Sequence, residues 1–148
     1  MFTLHSRLST DTYMLGRLPL SLVLLAKDAN YPWCILVPRQ EGVREIHHLS
    51  IADRRQLLDE SCALAEVMEE AFQPIKMNVA ALGNMVPQLH IHHIARFAGD
   101  KAWPKPIWGE VAPLEYQGCE LQRRSELLQQ GLSNARVNFE IEANPDLK

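Results

Sequence analysis

One run of nine residues constrains this chain more than any other: Gln88-Leu89-His90-Ile91-His92-His93-Ile94-Ala95-Arg96. Half of the six histidines lie in it, among aliphatic and β-branched neighbours that favour an extended strand. In such a strand the side chains at i, i+2 and i+4 project from one face. Gln88, His90 and His92 then point one way, and Leu89, Ile91 and His93 the other. Two imidazoles beside an amide form a polar row that is costly to bury unless each group finds a partner. The row is either a solvated sheet face or a working site. The loop Gly83-Asn84-Met85-Val86-Pro87 before it and Arg96 after it place potential anion donors alongside, which favours the site.

The segments around this strand read as a hairpin, a long helix and a second hairpin. Leu18 to Leu25 forms a strand with Pro19 near its start, where a missing ladder donor is tolerated. Asp28-Ala29-Asn30-Tyr31-Pro32 is turn chemistry, and Trp33 to Val37 is the returning strand. Ser50 is an N-cap with Asp53 as a capping-box partner. The helix spans Ile51 to Phe72, with Leu58, Cys62, Ala65, Met68 and Phe72 on one face at helical spacing. Met77 to Leu82 and Leu89 to Ala95 complete the second hairpin.

After Asp100 the pattern changes. Ala102-Trp103-Pro104-Lys105-Pro106-Ile107-Trp108-Gly109 is too rich in proline for a helix or a central strand, and its tryptophans either lid a pocket or cap the core. A C-terminal helix is expected from Leu114 to Gln130, with Leu121, Leu128 and Leu132 inward and Gly131 as its C-cap. Val137, Phe139 and Ile141 alternate with polar residues, which suits an edge strand or a contact with another subunit. With no βαβ alternation, the fold class is α+β: an antiparallel sheet of about five strands, one long helix packed on it, and a C-terminal helix.

At 148 residues the chain suits one domain, 1–148, with a core at about 15–108 and a helical extension at about 109–148. The net charge of −3 and the absence of a Lys/Arg-rich run disfavour nucleic acid and anionic membranes as partners. Arg39, Arg44 and Arg96 could still gather round a small anion. No secretory leader or membrane-spanning apolar run is read. The three cysteines, Cys34, Cys62 and Cys119, form neither a disulfide framework nor a CxxC knuckle. A reducing cytoplasm is the expected compartment.

The stretch Val86-Pro87-Gln88-Leu89-His90-Ile91-His92-His93-Ile94-Ala95-Arg96-Phe97 resembles the signature of the histidine triad (HIT) family, His-φ-His-φ-His-φ-φ with φ apolar. In this register Gln88 stands in the place of the first triad His, His90 the second and His92 the third, while His93 falls on a φ position. Ala26 to Arg39 is similar to the family's Asp-x-x-Pro turn and following strand, and Ile46-His47-His48-Leu49-Ser50 resembles the approach to its long helix. The resemblance covers roughly 15 to 108.

It implies a nucleotide hydrolase or nucleotidyl transferase, acting at the α-phosphate of a nucleotide or dinucleoside polyphosphate. His90 would be the nucleophile that forms a nucleotidyl-histidine, a task open to a neutral imidazole. His92 would bond a phosphate oxygen or the leaving group, Asn84 the α-phosphate, and Asp28 and Asn30 the ribose. Gln88 can still donate and accept, and restoring a His there is expected to raise the rate. Trp33-Cys34 replaces the usual Gly-His and takes a polar group from the site. The implied partners are a small-molecule nucleotide and a second copy of the chain, with no cofactor. Two other readings compete. The pocket could bind nucleotide without turnover, which trapping label on His90 would distinguish. Alternatively His90 and His92 could bind a metal with His47 or Cys34, which elemental analysis would reveal.

Overall fold

A computed structural model describes residues 1–147. The element order is α1 (Ser6–Asp11), β1 (Thr12–Arg17), β2 (Ser21–Ala26), β3 (Trp33–Pro38), α2 (Ile51–Phe72), β4 (Lys76–Ala80), β5 (Ile91–Arg96), α3 (Glu120–Asn134) and β6 (Glu140–Ile141), with short 3-10 turns at Ile46–His48 and Pro145–Leu147. The six strands form one sheet in the order β4-β5-β3-β2-β1-β6, and every neighbouring pair is antiparallel. This is the expected α+β architecture with one strand more at an edge. β3 is central and pairs with both β2 and β5, so α2 carries the chain across one face before β4 and β5 close that side.

The two sheet faces are built differently. On one, alternate residues Val23, Leu25, Cys34, Leu36 and Ile91 pack with Leu57, Leu64 and Met68 of α2 and Leu128 and Leu132 of α3. On the other, Leu22, Leu24, Ile35 and Val37 pack with Leu8 of α1 and Val86 of the loop before β5. Among the described residues no long helix covers that second face, which leaves room for a cleft.

Helix α2 begins as the capping chemistry dictates. Ser50 Oγ accepts from the Asp53 N–H at 3.0 Å and donates to the Asp53 carboxylate at 2.9 Å. Its buried stripe, however, is Leu57, Glu60, Leu64, Val67 and Met68, while Leu58 and Cys62 are exposed. Glu60 disguises the stripe by placing a carboxylate on the inner face. That carboxylate accepts from the Leu20 N–H at 2.7 Å, so it serves the turn between β1 and β2.

Helix α3 starts at Glu120 rather than Leu114 and runs past Gly131, which is not its C-cap. A Cβ at Gly131 would come within 2.5 Å of Val67 Cγ1, so the glycine lets α3 approach α2 closely. β1 is the strand that the pattern hides: its burial does not alternate, because the register slips between Met14 and Gly16. The alternating tail lies along β1 of the same chain as β6, and a Cβ at Gly16 would collide with the Glu140 carbonyl and the Phe139 ring. No helix among the described residues is long and apolar enough to cross a membrane.

Candidate active site

The open face of the sheet holds a cleft of about 660 Å³, within the ordinary range for a small-molecule site. It is bounded by α1 and the residue after it, the β2–β3 turn, the loop 82–86, the start of β5, and Trp108 and Pro113 from the long C-terminal connection. His90 and His92 both line it, their ring centroids 4.9 Å apart. His93 faces the opposite way, as strand alternation requires, and is fully buried. Its Nε2 lies 2.7 Å from Ser61 Oγ on α2, and its Nδ1 is 3.2 Å from the Ile91 carbonyl. Burial holds His93 down to about 4, so it is a neutral bolt between β5 and α2.

The hydrogen bonds assign the tautomers of the two cleft histidines. His90 Nδ1 is 2.7 Å from the backbone carbonyl of Gln88. A carbonyl only accepts, so Nδ1 carries a proton, and in the neutral ring the lone pair is on Nε2. His92 is arranged in the opposite sense. The Trp33 indole N–H donates to His92 Nδ1 at 3.0 Å; the indole can only donate, so the proton of a neutral His92 sits on Nε2. Burial first, then the neighbouring His90 and His93, push the His92 pKa down to about 3. With both rings neutral, the pair presents one lone-pair nitrogen and one N–H donor side by side.

The remaining sequence-predicted residues divide. Asp28 lines the cleft and is buried. One of its oxygens, Oδ1, accepts from the Asn30 N–H, the Asn30 amide and the Leu114 N–H. Its other oxygen is not engaged by these bonds. Asn30 is not part of the cleft lining; its amide also donates to the Ala112 carbonyl at 3.0 Å, tying the β2–β3 turn to the C-terminal connection. Asn84 lines the cleft from an exposed loop position. Gln88 does not line it. Its Oε1 accepts from the His5 N–H and its Nε2 donates to the Thr3 carbonyl, both at 2.9 Å, so the amide is spent on the N-terminal segment.

Other groups at the cleft were read from the sequence only in part or not at all. Of the two tryptophans that could lid a pocket or cap the core, Trp108 lines the cleft and Trp103 does not. Trp33 returns a polar group to the site rather than removing one, since its N–H orients His92. The donor was visible in the sequence, but its partner across the β3–β5 pairing was not. Trp108 stands 5.2 Å from the His92 ring and 6.3 Å from that of Trp33, both edge-on, and walls the cleft. Trp103 instead lies over the Arg96 guanidinium at 5.5 Å. Arg7, Asp11 and Lys27 also line the cleft. Six residues of helix are too few to give α1 a readable period.

The expected arginine cluster does not form at the cleft. Arg96 is buried and bonded to Asp100 through two nitrogens, to Asn78 and to the Lys105 carbonyl. Arg39 donates to the carbonyls of Leu18, Pro19 and Leu20, and Arg44 is exposed elsewhere. A guanidinium already surrounded by acceptors has little left for a ligand. Among the described residues no group of three His, Cys, Asp or Glu is arranged to hold a metal. Cys34, one residue offered for that role, is buried on the helix-packed face with its thiol pushed up to about 12.

The HIT domain pattern matches residues 7–99. A histidine triad protein from Marinobacter aquaeolei VT8 is 52% identical over 90% of this chain and 97% of its own, with a TM-score of 0.87. One from Bradyrhizobium japonicum is 46% identical over 88% of this chain and 98% of its own, also at 0.87. A histidine triad (HIT) protein from Sinorhizobium meliloti 1021 is 35% identical over 88% and 97%, at 0.86. Among curated proteins none matches. The matched pattern spans more than half of the sequence, and each of these structures covers 88% or more of it: the chain belongs to the histidine triad (HIT) family.

Proposed function

We propose that this protein is a nucleotide hydrolase or nucleotidyl transferase that works at the α-phosphate through a covalent intermediate on His90. The observation that carries this reading is the pair of opposed tautomers. His90 Nδ1–H is tied to the Gln88 carbonyl, so the free Nε2 lone pair is the nucleophile. It attacks the α-phosphorus, the new N–P bond forms, and the bond to the leaving oxygen breaks with its electron pair. Positive charge that develops on the His90 ring is stabilised at Nδ1–H by the carbonyl. His92 Nε2–H, fixed by Trp33, donates to a phosphoryl or leaving oxygen as negative charge builds there. Water or another acceptor then attacks phosphorus from the opposite side, and His90 leaves with its lone pair restored.

Asp28 and Asn84 complete the nucleotide site in this reading. The unengaged Asp28 oxygen accepts from ribose hydroxyls, and the Asn84 amide donates to the α-phosphate. Asn30 acts indirectly, holding Asp28 Oδ1. The test is trapping. After brief incubation with an α-labelled dinucleoside polyphosphate, acid-labile label is expected on a peptide containing His90. Nucleotide retained without such label, together with no product, identifies a protein that only binds.

A further inference from the structure

We infer that the N-terminal arm, residues 3–11, is a working wall of the nucleotide site: Gln88 positions it, and Arg7 is its contact to the phosphates beyond the scissile bond. The inference rests on the nucleotide reading above and adds a determinant of substrate class, favouring polyphosphate nucleotides over monophosphates. Three observations carry it. The two bonds of the Gln88 amide, to His5 N–H and the Thr3 carbonyl, grip the arm as an adjoining strand would. The turn beyond is fixed by its own contacts: His5 Nδ1 accepts from the Arg7 N–H at 3.2 Å, Thr12 Oγ1 donates to the Leu8 carbonyl at 2.7 Å, and Leu8 is buried against Ile35 and Val86. The arm so held places Arg7 in the lining of the cleft that contains His90 and His92.

Among the described residues, Arg7 is the more available of two cations there. Lys27 already sits over the Tyr13 ring at 4.9 Å. Arg7 has a solvated partner, Asp11, at 3.5 Å, with both side chains more than half exposed. An exposed pair of that kind is worth little, so the guanidinium exchanges it cheaply for a phosphate that it can bind through two nitrogens. Gln88 touches no substrate here. It is a positioning residue, and any effect of replacing it passes through the arm.

Calorimetric binding of ATP and AMP tests this without needing turnover. The native protein is expected to bind ATP more tightly than AMP. Arg7→Gln is expected to remove about tenfold of the ATP affinity, the lower end for a charge-assisted contact, and less than about twofold of the AMP affinity. Arg7→Lys is expected to retain most of the preference. Gln88→Ala is expected to reproduce the Arg7→Gln loss, and the double variant to lose no more than either alone, because both act through one contact. Hydrogen exchange of residues 3–11 is expected to speed up in Gln88→Ala and not in Arg7→Gln. If neither nucleotide binds, the nucleotide reading falls and takes this one with it. If both bind and Arg7→Gln leaves ATP untouched, or Gln88→Ala lowers affinity with the arm still protected, only the role of the arm is overturned.

Discussion

At the scale of single residues, the proposed site depends on a main-chain acceptor and an indole donor as much as on its histidines. His90→Ala removes the proposed nucleophile, and turnover is expected to fall by several orders of magnitude in single-turnover assays, with the circular dichroism unchanged. Trp33→Phe keeps the ring that packs beside His92 but deletes the bond to Nδ1. The His92 tautomer is then free to change, and the rate constant is expected to drop about tenfold, the worth of one hydrogen bond, with little change in nucleotide affinity. Gln88→His is expected to lower ATP turnover rather than raise it. The sequence alone favoured a gain, because strand alternation sets Gln88 in the row with His90 and His92. In the structure β5 begins only at Ile91, and the Gln88 amide is committed to the arm. A rate above native for Gln88→His contradicts this. The row itself was legible because period-two alternation is a local property. The partner of each ring was not, since Trp33 lies 59 residues from His92 in sequence.

At the scale of elements, β5 carries two buried neutral imidazoles, one toward the cleft and one toward α2. Their pKa values, about 3 for His92 and about 4 for His93, lie below the ordinary histidine value. The unfolded chain therefore binds more protons than the folded one once pH drops below about 6.5. The associated stability is complete above that point and is lost progressively as pH falls, toward 4 for His93 and toward 3 for His92. Unfolding free energies measured between pH 7 and 5 are expected to decline, at up to roughly 1 kcal/mol per pH unit for each ring. A flat profile contradicts the assignment. Asp100 does not contribute in this window. Burial works against its charge, but Arg96 and three backbone N–H groups hold it down to about 2. Which elements the sequence disclosed follows from where their signals reside. Helix α2 was readable from its cap and length. Of the face read at helical spacing, Met68 and Phe72 pack on the core while Leu58 and Cys62 are exposed, because Glu60 occupies a core position and disguises the stripe. β1 escaped because a bulge breaks its period. Gly131, which has the look of a terminator, matters for what approaches it from α2.

At the scale of the whole molecule, the sheet has two unequal edges. The β1 side is covered over two residues by the chain's own tail, which thereby answers one of the roles open to Val137–Ile141. The β4 side has no neighbouring strand among the described residues. There Ile75 is 60% exposed, Val79 51% and Leu82 46%, an apolar edge of the kind that pairs with another strand. We propose that a homodimer forms through β4. Sedimentation is expected to show a dimer at micromolar concentration that Val79→Lys shifts toward monomer. A native protein that stays monomeric throughout that range rules the arrangement out.

The placement of the tryptophans has a spectroscopic consequence. Trp33 and Trp108 meet edge-on within the cleft, and Trp33 bonds directly to His92. The third, Trp103, is set over a guanidinium outside the cleft lining. Indole emission responds to local polarity and to nearby aromatic groups, so two of the three fluorophores are placed to report occupancy while the third supplies a background. The protein carries its own optical probe for ligands, and titration of its emission requires no label.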